Sequence, residues 1–405
     1  MFARVTATHS VCVRARHARA ARFGHRTHPR EGAIAILTCL LLVFLLALIA
    51  LAIDTGMLLV ARSELQRSAD AAALAGTWEL LDERGSSQPI SPLTVRNMAA
   101  AYAGSNPVRL QGPSVDLNAA NDPAGELVLG KLLDPANPSV LSFANASEFN
   151  TTRVRVTRSI GQNGEVPLFF ARIWGINGSQ VSASAQASFL ESFRGFRVPE
   201  PGVQDPPPNL MMLPIAIDIK VWKAAVNGIG ADDYGWDQDK ENVRPQADGI
   251  TEVNLLPVDT GSGGNWGALD IGAAKTSNAT LARQITDGLT TADVDFHGGE
   301  LSFDAAGELH LSGNTGISAG PLGKALEAVV GQARIIPLFS EVSGNATNAQ
   351  FTIVEFAGGR IMAVKMTGKK YVKVQPSTMV TRGGIPAKPG EQVTTQIFSP
   401  VKLTQ

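Results

Sequence analysis

The carboxylates of one acidic segment have the spacing of a calcium-binding loop. Four of them fall at positions 1, 3, 5 and 12 of a twelve-residue segment: Asp237, Asp239, Glu241 and Asp248. A loop of this length can surround Ca²⁺ with oxygen ligands. Neither flank has the periodicity of a helix, however, and Pro245 lies inside the segment. The sequence therefore favours a solvated acidic turn before a strand near residue 250, and leaves Ca²⁺ binding open as the alternative.

Other residue types that serve catalysis do not form a recognisable site. His297, Glu300 and His310 could bind zinc, but a zinc site needs three or four converging ligands and this part of the chain has no cysteine. The glycine-rich segment 261–267 lacks the Lys-Ser/Thr pair of a phosphate-binding loop. The sequence therefore predicts no enzyme, no metal and no cofactor.

The element that organises the chain is an uncharged apolar run from Gly32 to Ile53. As a helix it would be roughly 33 Å long, which is enough to cross a hydrocarbon core of about 30 Å. The basic leader before it, residues 1–31, has seven arginines and no acidic residue in its first 30 positions. Because positive segments stay in the cytoplasm, we predict a single-pass inner-membrane protein with a cytoplasmic N-terminus and a periplasmic body.

A cleaved signal peptide is the alternative to a membrane anchor. Ala50-Leu51-Ala52 has the small-x-small form of a cleavage site. The apolar run is longer than the roughly 7–15 residues of a signal peptide, and helical sequence continues beyond it. An uncleaved anchor is therefore favoured, and cleavage is left open.

The composition of the exported part excludes an internal disulfide and does not support nucleic-acid binding. Cys12 and Cys39 lie in the leader and the apolar run, so the exported part has no internal disulfide. Beyond residue 30 there are 28 basic and 36 acidic side chains. This acidic balance gives no support to a nucleic-acid partner.

Beyond the apolar run, residues 54–84 continue as a helix with a stripe of small side chains. The stripe has spacings of three or four residues: Met57, Ala61, Leu65, Ala69, Ala72 and Gly76. Two interpretations are open. The stripe packs on its own domain, or it contacts another helix, because alanine and glycine let a second backbone approach. In either case the apolar run and the stripe form one helix of about 50 residues.

The predicted fold class is α+β. The transmembrane helix, 32–53, continues into a pilin-like helix-on-sheet domain, 54–196, and a proline-rich linker, 197–209, leads to a β-rich outer domain, 210–405. Strands are predicted from alternation and turn signals at 126–132, 140–143, 153–159, 181–189, 212–219, 250–256, 300–303, 308–311, 334–338, 350–356 and 371–375. Further helices are predicted at 93–102, 279–289 and 323–330.

Residues 32–76, the first 45 residues of the predicted long helix, carry a distinctive pattern. It opens with Gly32-Ala33-Ile34-Ala35, has Asp54 and Gly56 at the outer edge of the apolar run, and continues with Arg62-Ser63-Glu64. It ends in a block that we call the packing motif: Leu65, Gln66, Ala69, Asp70, Ala71, Ala72, Ala73, Leu74, Ala75 and Gly76. The pattern resembles the N-terminal module of the Flp pilus-assembly TadE/TadG-like family. This resemblance implies an anchored, pilin-like protein of an envelope appendage or secretion apparatus.

Two features found among relatives of this kind are missing. Pilins cut by a prepilin peptidase usually have a glutamate at the fifth position after the cleavage glycine, where this chain has Leu37. We therefore expect an uncleaved, TadG-like anchor. TadG-like proteins often carry a von Willebrand type A domain, whose metal site follows an apolar strand with Asp-x-Ser-x-Ser. Asp218 ends such a strand, but Ile219 and Lys220 follow it and no hydroxyl is near, so no metal site is predicted.

These observations predict a membrane-anchored, non-enzymatic accessory component of Flp/Tad-type pilus assembly or a related envelope structure. It would act by lateral helix packing through Ala69, Ala72 and Gly76. The predicted partners are the lipid bilayer, other pilus-assembly or envelope proteins and a second copy of the chain. An envelope adhesion or ligand-binding module tethered by the helix, and an exported hydrolase, remain as alternatives.

Overall fold

The computed structural model describes residues 31–85, 90–200, 209–255, 266–315, 319–344, 348–368, 370–388, 391 and 394–405. The basic leader and most of both the proline-rich linker and the glycine-rich segment lie outside these residues. Within them, the chain combines helix and strand, with one long apolar helix at its N-terminal end and a β-rich remainder. The predicted α+β class is confirmed at this level.

Helix α1 runs without interruption from Glu31 to Gly85. It contains 55 residues and no proline, and it is about 83 Å long at the rise of an α-helix. The apolar run and the stripe therefore form one continuous helix, as the sequence predicts. Among the described residues, the elements that follow α1 cover mainly its second half. In its first half, Ala50 and Asp54 are buried.

The elements that follow α1 form a helix-on-sheet unit. In chain order they are α2 (Pro92–Ser105), β1 (Leu127–Leu132), β2 (Leu141–Ser142), β3 (Thr151–Arg158), β4 (Val166–Pro167), β5 (Gly178–Ser179), β6 (Val181–Ser188) and β7 (Phe193–Phe196). Two short 3-10 turns lie at Ala146–Glu148 and Ala171–Trp174. Helix α2 begins where expected, because Ser91 accepts a hydrogen bond from Thr94 N and Pro92 suits the first turn.

The second half of α1 lies between α2 and an antiparallel sheet with strand order β2-β1-β3-β6. Strand β3 shows the alternation that the sequence predicts, since Val154 and Val156 are buried under α1 while Arg155 between them is exposed. The shared core of helix and sheet contains Leu65, Ala69 and Ala72 from α1. Burial of these residues fixes α1 to the sheet.

The remainder of the chain is built on a larger mixed sheet. In chain order its elements are β8 (Ile215–Asp218), α3 (Ile219–Val226), β9 (Gly235–Asp237), β10 (Asn242–Arg244), β11 (Val253–Asn254), β12 (Trp266–Leu269), α4 (Asn278–Asp287), α5 (Thr291–Asp295), β13 (Leu301–Ser302), β14 (Leu309–Asn314), α6 (Ala319–Ala328), β15 (Ala333–Ser343), β16 (Ala349–Lys365), β17 (Tyr371–Pro376), β18 (Met379–Val380), β19 (Gly384–Pro386), β20 (Thr394–Thr395), β21 (Ile397–Phe398) and β22 (Lys402–Leu403).

The larger sheet has the order β11-β17-β16-β14-β12-β8-β15, with β20 beside β16. Both of its faces are buried, because successive residues of one strand enter different cores. Ile215 and Ile217 of β8 face a core shared with Trp222 of α3, whereas Ala216 between them faces a phenylalanine-rich core on the other side. Strands buried on both faces read as continuous apolar runs, as in Leu213–Ile217.

One predicted strand ends earlier in the structure, and two strands pair across the predicted segments. The strand predicted over 212–219 ends at Asp218, and Ile219 already begins α3. Strand β7, which lies inside the predicted helix-on-sheet domain, pairs with β13 and β19 of the outer part. The last strand, β22, returns to the first sheet and pairs with β6, although the outer domain was predicted to extend to residue 405. The packing of each segment against its neighbours decides its place, and short segments carry little sequence signal for such contacts.

The outer part contains a carboxylate whose ionisation supports its fold. Asp293, at the start of α5, accepts hydrogen bonds from Thr290 N at 2.8 Å and pairs with Arg283 at 2.7 Å. Burial opposes its ionisation, but the hydrogen bonds from Arg283 and Thr290 outweigh burial and hold its pKa below the ordinary value of 3.8.

We therefore expect Asp293→Asn to lower the free energy of unfolding by about 2–3 kcal/mol at neutral pH. A group with a lowered folded-state pKa contributes stability above its unfolded pKa, and the contribution is lost as the pH falls through the folded value. Urea titrations of the full chain in detergent should show the wild-type advantage at neutral pH and its decline below pH 3.8. An advantage that stayed constant to the lowest pH would contradict this role.

Candidate functional site

The acidic segment forms a hairpin in which two of the four carboxylates, those of Asp237 and Asp248, have protein partners. Strands β9 and β10 pair with Asn242 opposite Asp237, and Arg244 forms an ion pair with Asp237. Asp248 accepts hydrogen bonds from Gln375 Nε2 at 2.7 Å and from Ile250 N at 3.0 Å. Among the residues that the structure describes, no group of three His, Cys, Asp or Glu side chains is placed to hold a metal ion.

The other residues singled out for chemistry also have separate structural surroundings. Asp218 caps α3 by accepting a hydrogen bond from Lys220 N at 2.7 Å. His297 follows α5, and desolvation lowers its pKa. Glu300 accepts from Ser302 Oγ at 2.6 Å, and His310 lies 3.4 Å from the Glu308 carboxylate. The structure does not show these side chains converging on a common ligand.

The first part of α1 has an extended exposed apolar surface. Within the described part of the chain, its apolar side chains project away from the other elements. Ile34, Ile36, Leu37, Leu40, Leu41, Leu42, Val43, Phe44, Leu45, Leu46, Leu48, Ile49, Leu51 and Ile53 are each 43% or more exposed. A soluble protein does not leave such a surface in water. Among the described residues, α1 is the helix long and apolar enough to cross a membrane.

Asp54, the first residue beyond the apolar run, joins α1 to a distant loop. Its carboxylate accepts hydrogen bonds from Phe169 N and Ala171 N at 2.7 Å each, and from Phe170 N at 3.1 Å. Desolvation acts against its ionisation, and the three backbone donors outweigh it, so the pKa of Asp54 lies below its ordinary value. The carboxylate therefore holds the 3-10 turn Ala171–Trp174 against the helix at the end of the apolar run.

Half of the packing motif is buried inside its own domain. Leu65, Ala69, Ala72 and Ala73 have no exposed surface. A Cβ atom at Gly76 would lie 2.9 Å from Thr152 Cγ2 of the sheet and 3.1 Å from Ala99 Cβ of α2. The small side chains thus admit the sheet and α2 to α1, which is the first of the two interpretations that the sequence left open. Because Ala69, Ala72 and Gly76 are buried, they offer no open surface for lateral packing on another chain.

The remaining members of the motif are partly exposed: Gln66, Asp70, Ala71, Leu74 and Ala75. Gln66 donates to Asp70 Oδ1 at 2.8 Å and to Ser184 O of β6 at 3.1 Å. The adjoining outward face of α1 contains Leu59, Val60 and Trp78, each more than half exposed. The outer half of α1 also exposes Arg62, Ser63 and Arg67. A role of the motif in assembly stays a prediction.

Sequence reasoning missed the loop that Asp54 holds. Residues 168–177 read LFFARIWGIN, with aromatic and aliphatic side chains but no regular period. An apolar cluster that fits neither a helix nor a strand is the signal that could have found it. The cluster is placed beside the apolar run by a hydrogen-bond acceptor more than 100 residues earlier in the chain.

The apolar helix and the sheet domain that follows it lie in the part of the chain that is similar to Flp pilus-assembly proteins. Residues 32–79 match the model of the Flp pilus-assembly TadE/G-like family, and residues 75–187 match that of the Tad-like Flp pilus-assembly family. The matches end within β6 and so cover α1, α2 and strands β1 to β6. The chain matches no curated protein and no solved structure.

The predicted resemblance to the TadE/TadG-like family is therefore confirmed for residues 32–79, and the Tad-like match extends the resemblance to Flp pilus-assembly proteins to residue 187. Tad families are generally non-catalytic accessory proteins of pilus assembly, so the matches support a role related to this process and contact with other pilus proteins. The uncovered apolar helix and the family together suggest membrane anchoring.

Proposed function

We propose that this protein is a membrane-anchored, non-enzymatic accessory component of a Flp/Tad-type pilus or a related envelope assembly. One observation carries the proposal: the family matches begin at the uncovered apolar helix and end with the sheet that covers its outer half. A bilayer would cover the exposed side chains of residues 34–53, which have no partner within the described part of the chain.

The direction of insertion follows from the charge of the leader. Seven arginines precede the apolar run, which favours a cytoplasmic N-terminus in the inner membrane and a periplasmic body. The helix-on-sheet domain is then pilin-like in form, with α1 as both its anchor and its core helix. The outer part, residues 209–397, follows this domain in the sequence and is available for contacts outside the membrane.

Lateral contacts with other assembly proteins would use the surfaces of α1 that its own domain leaves open. These are the apolar run within the bilayer and the outward face around Leu59, Val60 and Trp78. Aromatic and aliphatic side chains on such a face are typical of helix contacts between subunits. The buried stripe contributes indirectly, because it fixes the orientation of this outward face.

Deletion and complementation in the organism that carries the gene would test the proposal. We expect deletion to abolish or reduce filaments in sheared preparations, and the full chain to restore them. A chain whose residues 1–53 are replaced by a cleavable signal peptide should reach the periplasm without restoring them. Restoration by this released form would contradict anchoring.

Two conservative variants would test the non-enzymatic part of the proposal. Asp218→Asn keeps an acceptor for the α3 cap, and His297→Gln replaces a partly buried imidazole. Both should restore filaments at the wild-type level. A loss of filaments with an unchanged protein level would point to chemistry at the replaced side chain.

A further inference from the structure

The segment 168–177, which we call the edge loop, exposes a cluster of large apolar side chains. Phe169 is 70% exposed, Ile173 77%, Trp174 68% and Ile176 54%. The loop also carries Arg172 and has no acidic residue. A cluster of this kind in water is unfavourable, and Trp174 is of the amphipathic aromatic type enriched where proteins meet the membrane–water interface.

The position of the edge loop is fixed relative to the apolar run. Asp54 follows the last residue of that run, and its two carboxylate oxygens bind the backbone of Phe169, Phe170 and Ala171 at 2.7–3.2 Å. Leu168, at the start of the loop, is buried. The backbone of the loop is thus held to the helix while the side chains beyond it point away from the domain.

The register of the sheet shows which end of the domain the loop occupies. Gln66 of α1 contacts Ser184 of β6, and Thr77, farther along α1, contacts Ala187, farther along β6. Strand β6 therefore runs outward alongside α1, away from the apolar run. The edge loop directly precedes β5 and β6, so it lies at the end of the domain from which the apolar run emerges.

We propose that the edge loop inserts into the headgroup region of the outer face of the same bilayer that α1 crosses. Phe169, Ile173 and Trp174 would enter the interface, and Arg172 would meet the phosphates of anionic lipids. The proposal rests on the membrane anchoring of the proposed function. It adds a second membrane contact, which would fix the tilt and rotation of the domain on the bilayer surface.

The features of the loop favour a lipid surface over a protein partner. The loop is continuous with the membrane-crossing segment through Asp54, and its charge is complementary to anionic headgroups. Other partly exposed apolar side chains, such as Leu133 and Val140, lie past the opposite end of the sheet, where β1 and β2 extend beyond β3. These side chains provide a matched comparison at a distance from the membrane.

A depth measurement on the full chain tests the proposal. In a background of Cys12→Ser and Cys39→Ser, one environment-sensitive fluorophore is attached through Ile173→Cys, and in a second protein through Val140→Cys. Each protein is placed at one copy per nanodisc of phosphatidylcholine and phosphatidylglycerol, with or without a lipid that carries a nitroxide near its headgroup. We expect several-fold stronger quenching at position 173 than at position 140, with a blue-shifted emission at 173 only.

A second variant tests the role of Asp54 in placing the loop. Asp54→Ala removes the acceptor for three backbone N–H groups, so quenching at position 173 should fall while the protein remains in the disc. Equal, weak quenching at 173 and 140 in disc-bound protein would overturn the inference and leave anchoring intact. Protein that does not stay with the discs would instead contradict the proposed function.

A protein occupant of the loop would give a different result. If the emission at position 173 were blue-shifted only in vesicles that hold many copies, and the headgroup nitroxide did not quench it, a second protein chain would be covering the loop. That outcome would also overturn the inference.

Because Ile173 and Val140 are both exposed, neither cysteine substitution removes a core contact.

Discussion

A chain carrying Ala72→Leu and Gly76→Leu is expected to lose the fold of its helix-on-sheet domain. Ala72 has no exposed surface, and a Cβ at Gly76 would already lie within 3.2 Å of both Thr152 and Ala99. Adding larger side chains to a filled core usually costs about 1–3 kcal/mol at each position, so the pair should cost about 2–6 kcal/mol. The same substitutions would have tested lateral packing if the stripe had been free.

The matched control is Ala71→Leu with Ala75→Leu, the same chemical change on the partly exposed side of the helix. Hydrogen exchange of the detergent-solubilised full chain would separate the effects by region. In the first variant we expect faster exchange across residues 90–190 with little change in 266–344. In the control we expect near wild-type exchange in both regions. Wild-type protection in the first variant would mean that the stripe does not form the core described here.

The second large effect is expected from Arg96→Met in α2. Arg96 is 3% exposed and donates to Leu117 O at 2.7 Å, Leu127 O at 2.9 Å and Asn121 Oδ1 at 2.7 Å. Burial lowers the pKa of the guanidinium. Methionine fills part of the volume but leaves three acceptors without this donor, which should lower the free energy of unfolding by about 3 kcal/mol.

Arg96 acts through a loop as well as through the core. Asn121, which accepts from Arg96, also accepts from Leu129 N at 2.9 Å and donates to Leu129 O at 2.8 Å. Loss of the guanidinium should therefore loosen the segment 117–127, and limited proteolysis should cut there first. Arg62→Met, on an exposed position of α1, is the control. An unchanged melting temperature and cleavage pattern for Arg96→Met would show that its hydrogen bonds do not stabilise the fold.

The features that depend on local pattern could be predicted from the sequence. The apolar run, the absence of proline up to Gly85 and the small-residue periodicity predicted one long helix, and alternation predicted β3 within two residues of its observed ends. The strand at 334–338 was also predicted, although it extends to Ser343 in the structure. These elements are specified by the residues that form them.

Features that depend on a distant partner could not be predicted in this way. The period of the stripe shows which face of α1 is small, but it does not show what covers that face. Asp54 looks like an ordinary helix-edge carboxylate until its acceptor role toward Phe169 is known. Likewise β22 is two residues long, and its place is set by pairing with β6 rather than by its own sequence.

The intact mass and membrane state of the mature protein after carbonate extraction would show whether the apolar helix is an uncleaved anchor. We predict a chain that keeps residues 1–53 and stays in the membrane fraction. A membrane-bound chain that begins at Ala33 would show prepilin-type processing despite Leu37, and would make the protein a pilus subunit. A soluble chain that begins at Ile53 would contradict the anchored accessory role, because the apolar helix would then be a signal peptide.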